Sequence, residues 1–213
     1  MRNRLAGACW LLAAVSFLTA NVLVGLAWDQ PRFSWAEHNI SDLGNVTCGV
    51  WDTSRPRPVC SPWHAGMNAV FVGAGLLLAV GALLARRALR PGRAATVTVA
   101  SAVAAGSGYV LAGLYPADVD ENLHMLGALL VFALGNAALL AAALGRSPLL
   151  GELRTVSAVL GLLGLAGTVL FLARVDAGIG VGGMERVAVF PLFAWVTAAG
   201  LRLLGFRRSR PLS

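Results

Sequence analysis

Three histidines and ten carboxylates are the side chains of this 213-residue chain best suited to acid–base or metal chemistry. Imidazole nitrogens and carboxylate oxygens bind zinc, and zinc-bound water is a nucleophile near neutral pH. Without a metal the same groups give and take protons. His38, His64 and His124 lie far apart in the chain, and no HExxH, HxxxH or CxxC pattern gathers ligands by local spacing. Any site must therefore be assembled by the fold.

The richest string is Glu37–Gly44, EHNISDLG. As one or two helical turns it sets His38 and Asp42 at i and i+4 on one face, with Gly44 as a C-terminal stop. Asn39 and Ser41 add capping or binding groups. Farther along, Asn68 falls one turn below His64, and Asp120 and His124 repeat that relation. Glu185 sits where a helix dipole favours a carboxylate, and its neighbour Arg186 is a partner for Asp42 or Asp118. Asn39, Ser41, Asp42, His64, Asn68, Asp118, His124, Glu185 and Arg186 form the candidate pocket. His64, His124 and Asp42 are its candidate metal ligands, with zinc the metal this donor set suits.

The elements that must position these groups are membrane helices. The chain is 57% hydrophobic and 13% charged, with mean hydropathy +0.72, whereas a soluble domain is nearer a quarter charged. Six apolar runs, about 5–28, 64–85, 94–115, 123–145, 155–173 and 186–205, each approach the ~20 residues a helix needs to cross a bilayer. The expected fold is all-α, a polytopic helix bundle forming one integral membrane domain over 1–213. Small residues such as those of Gly73–Gly81, GAGLLLAVG, suit close helix packing. Leu5–Ala27 is too long for the apolar core of a signal peptide, so it is read as a retained first span.

Every basic residue is Arg. Arg2, Arg4, Arg86, Arg87, Arg90, Arg93, Arg146, Arg154, Arg202, Arg207, Arg208 and Arg210 fall at one end of the spans; Arg32, Arg55, Arg57, Arg174 and Arg186 fall at the other. The positive-inside rule puts the first set, and both termini, in the cytoplasm. All acids except Glu152, and all three histidines, then lie at the outer end, as expected for a plasma-membrane protein with an outer-facing pocket. The arginines form no stripe interleaved with aromatics, which argues against nucleic acid as a partner. Membrane lipid is the expected one.

The outer loop, 29–63, carries Cys48 and Cys60, an expected disulfide worth roughly 3 kcal/mol in the chain-entropy model. Arg55-Pro56-Arg57-Pro58 is expected at its solvated tip. Asn45-Val46-Thr47 fits a glycosylation sequon and is read as a chance match. Asn136, midway along the fourth span, needs partners; Thr98, Ser101 and Ser107 are the nearest choices.

The string HNISDLG after a first membrane helix resembles the family numbered 998 among domains of unknown function. So do Met67-Asn68, Gly113-Leu114-Tyr115-Pro116 followed by Asp118, His124 opening the fourth helix, and Gly183-Met184-Glu185-Arg186. The resemblance implies a multi-helix membrane protein and brings no assigned activity. The insert bearing Cys48 and Cys60 departs from it. Three functions fit these expectations: binding a lipid or small amphiphile or assisting a membrane partner, metal-dependent hydrolysis or transfer at a lipid head group, and small-molecule transport. Transport is the weakest, because the spans lack mid-membrane charge and Pro191 alone interrupts one.

Overall fold

The computed structural model describes residues 1–205. Arg207, Arg208 and Arg210 lie outside the described residues. Six helices are long and apolar enough to span a membrane: α1 (Arg2–Leu26), α2 (His64–Ala85), α3 (Arg93–Leu114), α4 (Glu121–Ala143), α6 (Arg154–Leu172) and α7 (Val181–Gly205). A short α5 (Pro148–Glu152) precedes α6, capped by the Ser147 hydroxyl on the Leu150 N–H with Pro148 in its first turn.

The helices close into a ring. Each of α1, α2, α3, α4 and α6 packs on the next spanning helix, and α7 packs on both α6 and α1. Gly7 near the start of α1 abuts Gly200 near the end of α7, so both described ends of the chain lie at one end of the bundle. The Arg2 guanidinium donates to Leu83 and Leu84 carbonyls at that same end.

Close approach rests on paired glycines. A Cβ on Gly106 would stand 2.6 Å from the Gly75 oxygen, joining α2 to α3, and one on Gly127 would stand 2.7 Å from the Gly108 oxygen, joining α3 to α4. With lipid as solvent, such backbone proximity is the main source of helix association. An aromatic cluster fills the ring: Phe17 stacks on Phe193 at 4.0 Å and meets Tyr109 edge-on at 5.5 Å.

Asn136 is held by α6 and α7 rather than by α3. Its amide nitrogen donates to the Thr168 hydroxyl (3.1 Å) and the Ala188 carbonyl (3.2 Å), besides Phe132 in its own helix. The expectation of Thr98, Ser101 and Ser107 is thereby corrected: Thr98 and Ser107 bond back to carbonyls of their own helix. In α7, the helix begins at Val181, five residues before the expected start, so Glu185 and Arg186 occupy its first turns.

The long loop folds over the other end of the bundle. Strands β1 (Gly49–Trp51) and β2 (Arg57–Val59) pair antiparallel, and the Cys48–Cys60 disulfide closes the hairpin. Ahead of them, Ser41–Gly44 makes a 3-10 turn against α1 and α2.

Candidate functional site

The loop is docked by side chains from every quarter of the bundle. Asp42, fully buried, takes Arg57 in a two-pronged ion pair, with Nε to Oδ2 at 2.7 Å and Nη2 to Oδ1 at 2.6 Å. Its Oδ2 also accepts the Asn39 N–H at 2.8 Å. This geometry joins the two ends of the loop and corrects two expectations. Arg57 is not at a solvated tip but buried, because the hairpin register turns it onto Asp42. Arg186 pairs with neither Asp42 nor Asp118 among the described residues. Burial alone would disfavour the Arg57 charge, but the hydrogen bonds and charge of Asp42 outweigh it and raise the guanidinium pKa.

His38 does not share a helical face with Asp42. Its Nδ1 accepts the Ser34 N–H at 2.9 Å, which leaves Nε2 to donate to the Pro58 carbonyl at 2.9 Å. The ring is thus a neutral tautomer bridging the two halves of the loop, packed on Trp28 and Phe33. The remaining motif residues act similarly. Asn68 donates to the Gly44 carbonyl, and Asp118 accepts the Val46 and Thr47 N–H groups and the Thr47 hydroxyl. Glu185 accepts the Ile40 N–H at 2.6 Å. Gly44 has no room for a side chain, since a Cβ would strike the Asn68 amide oxygen. Asn45, the sequon's acceptor position, is fully buried in the fold.

Asp52 anchors the turn between β1 and β2. Burial would raise its pKa, but hydrogen bonds from the Ser54 hydroxyl and N–H, from Arg57 and from the Arg55 N–H prevail and hold it at about 2, against an ordinary 3.8. A carboxyl depressed in the folded state stabilises above its unfolded pKa and loses that contribution as pH falls through the folded one. The hairpin is therefore expected to loosen between about pH 4 and pH 2, read as faster amide exchange at Ser54 and Arg55. Asp52→Asn should flatten that part of the profile; an unchanged profile would contradict this role.

Beneath the loop lies a cavity of about 270 Å³. Asn39 and Ser41 roof it, Asp52, Ser54 and Arg55 come from the hairpin turn, and α4 supplies His124, Met125, Ala128 and Phe132. The end of α6 adds Phe171, Leu172 and Arg174, and α7 adds Glu185. Arg174 donates to the Ser54 hydroxyl at 2.8 Å, and Arg55 to the Glu37 carbonyl and the Asn39 amide oxygen. A smaller apolar chamber of about 40 Å³ continues inward to Phe17, Phe71 and Tyr109, sharing Ser41, His124, Ala128, Phe132 and Glu185 with the first.

Of the nine expected pocket residues, Asn39, Ser41, His124 and Glu185 share this cavity. Asp42, Asn68 and Asp118 serve the loop, and Arg186 lies on another face of α7. His64 stands apart, its Nδ1 bonded to the Ser61 carbonyl at the start of α2. Among the described residues no group of three His, Cys, Asp or Glu side chains is placed to hold a metal ion. His124 binds the Tyr115 carbonyl through Nδ1 at 3.0 Å; a carbonyl only accepts, so that nitrogen carries the proton. Arg55, Asp52, Ser54 and Arg174 were not expected in the site. Arg174 did carry a signal, as a lone cation ending a span at the acidic end.

Six membrane-length helices closed into a ring, with a polar loop docked over one end, define a multi-pass helical membrane protein. The family model described as "Protein of unknown function (DUF998)" matches residues 11–202, and the chain belongs to that family. No curated protein and no solved structure matches it.

Proposed function

We propose that this protein binds a lipid or small amphiphile in the cavity beneath its loop. The polar part of the ligand lies against Ser41, His124, Glu185 and the Arg55–Arg174 side, and its apolar part against Met125, Phe132, Phe171 and Leu172. One observation carries this reading: the cavity is polar under the loop, yet its wall includes Met125 and Leu172, which are 48% and 52% exposed on the flank of the bundle. In a membrane that flank faces acyl chains, so an amphiphile reaches the cavity without crossing water. The arginine asymmetry supports an outer-facing loop and a plasma-membrane location with both termini inside.

Ala128→Trp tests the reading, because Ala128 lines both chambers and takes no part in docking the loop. Filling the space is expected to remove amphiphiles that co-purify with the wild type, scored by lipid mass spectrometry, while the protein stays monodisperse. Unchanged lipid content in a folded variant would sink the proposal.

A second reading makes the same cavity a hydrolase or transferase site for a lipid head group. It is favoured by Ser41, His124 and Glu185 lining both chambers, with His124 bonded to the Tyr115 carbonyl through Nδ1 and Glu185 accepting the Ile40 N–H. The described residues offer no three-ligand set for zinc, so in this version Ser41, His124 and Glu185 would serve as acid–base groups. Turnover of head groups by purified protein supports this version; its absence leaves binding alone.

A further inference from the structure

Arg186 carries a feature that neither the loop nor the cavity uses. Its Nη1 is saturated, donating to the carbonyls of Trp35 (3.1 Å), His38 (2.9 Å) and Gly182 (2.7 Å). Its Nε and Nη2 are buried and make no hydrogen bond to any described residue. These two N–H groups form the edge that grips a carboxylate or phosphate with two parallel hydrogen bonds. Arg57 shows the same edge filled, by Asp42. The Arg186 residue is 9% exposed, and leaving two such donors unmet is costly.

The same side chain heads an apolar groove of about 320 Å³ on the outside of the bundle, between α6 and α7. The groove descends past Val187, Phe190, Pro191 and Ala194, against Leu160 and Leu163. At 1.5 Å per residue, Arg186 to Ala194 spans roughly 12 Å, enough for about ten methylenes of an acyl chain. Pro191 and Ala194 provide the relief: a ring in place of an N–H, and a side chain too short to fill the gap. Phe33 and Trp35 cover the guanidinium, their ring centroids 5.4 and 5.2 Å from it, and Trp35 is the exposed one of the two, so its displacement is the movement the proposal below requires.

We infer that Arg186 and the α6–α7 groove form a second lipid site, specific for an anionic amphiphile whose oxyanion takes the free edge of Arg186 and whose chain lies in the groove. The occupant is anionic because the only polar groups offered are donors on a cation. It is a lipid because everything below them is apolar and faces the bilayer. The site shares no lining residue with the cavity under the loop.

The test uses the full chain in nanodiscs of phosphatidylcholine doped with phosphatidylglycerol, with retained lipid counted by native mass spectrometry. Wild type is expected to enrich phosphatidylglycerol over phosphatidylcholine by roughly tenfold, a value typical of one charge-assisted bidentate contact. Arg186→Gln should abolish the enrichment. Since Arg186 also holds the loop, Ala194→Trp provides the second arm: it fills the groove from the lipid side, far from the loop, and should abolish enrichment in a protein of wild-type thermal stability. Inorganic phosphate at millimolar concentration should not displace the lipid; displacement would show an anion site without a chain site and overturn the proposal. Equal retention of both lipids by wild type, or enrichment that survives Ala194→Trp, would also overturn it. Ala128→Trp should leave this enrichment intact, so failure of the cavity reading and failure of this one are separable.

Discussion

Replacing Asp42 by Ala is expected to lower stability by about 3–5 kcal/mol, the cost of stranding one partner of a buried ion pair. The carboxylate is fully buried and its partner Arg57 is 7% exposed, so water cannot rescue the guanidinium. The effect should spread, because Arg57 also donates to Asp52 at 3.1 Å and the Asn39 N–H depends on the same carboxylate. Thermal unfolding in detergent, followed by tryptophan fluorescence, measures the loss. The double variant Asp42→Ala, Arg57→Met should recover part of it, since no buried charge is then left unpaired and the part-exposed Asp52 keeps its bonds from Ser54 and Arg55. A single variant as stable as wild type would show that the pair is not what holds the loop.

A side chain at Gly108 is the second large disruption. Its Cβ would stand 2.6 Å from the Gly127 oxygen and 3.1 Å from the Val131 nitrogen, both backbone atoms of α4 that cannot move alone. Overpacking of this kind costs about 1–3 kcal/mol or more, and here it parts two spanning helices whose association depends on closeness. Gly108→Leu should therefore yield little folded protein. Gly73 is the control: nothing lies within 4 Å of a Cβ there, so Gly73→Ala should be silent. Size-exclusion profiles and thermal stability of the two variants decide the matter; similar behaviour would refute the role given to the glycine contacts.

The spans were legible because lipid imposes one rule on every backbone group, and a helix is its local solution. Expected bounds 64–85 coincide with α2, and 94–115, 123–145 and 155–173 fall within two residues of α3, α4 and α6. The early start of α7 escaped because Gly182, Gly183 and Glu185 precede the apolar run, whereas in the fold Glu185 accepts the Ile40 N–H and the Arg186 Nη1 donates to the Trp35 and His38 carbonyls. The expected disulfide between Cys48 and Cys60 is present.

Within the loop, sequence reasoning reached the right residues but often the wrong partners. His38 and Asp42 look like a helical pair at i and i+4, yet a 3-10 turn sends them apart, one to Pro58 and one to Arg57. Those partners lie across the hairpin, and strand register is a property of pairing, invisible in either strand alone. The Arg-Pro-Arg-Pro stretch reads as solvated for the same reason. Four of the nine candidate pocket residues, Asn39, Ser41, His124 and Glu185, line the cavity because they open or border helices at one end of the bundle. Arg55 and Arg174 were not legible, since they reach the cavity through a hairpin turn and a helix terminus.

The hairpin bolted over the cavity has a consequence for how any occupant is counted. For the amphiphile proposed above, entering through the flank at Met125 and Leu172, the relevant concentration is molecules per lipid rather than per litre. Occupancy then follows surface dilution: inert lipid competes simply by being present, and a freely soluble analogue of the head group begins at a disadvantage however well it fits.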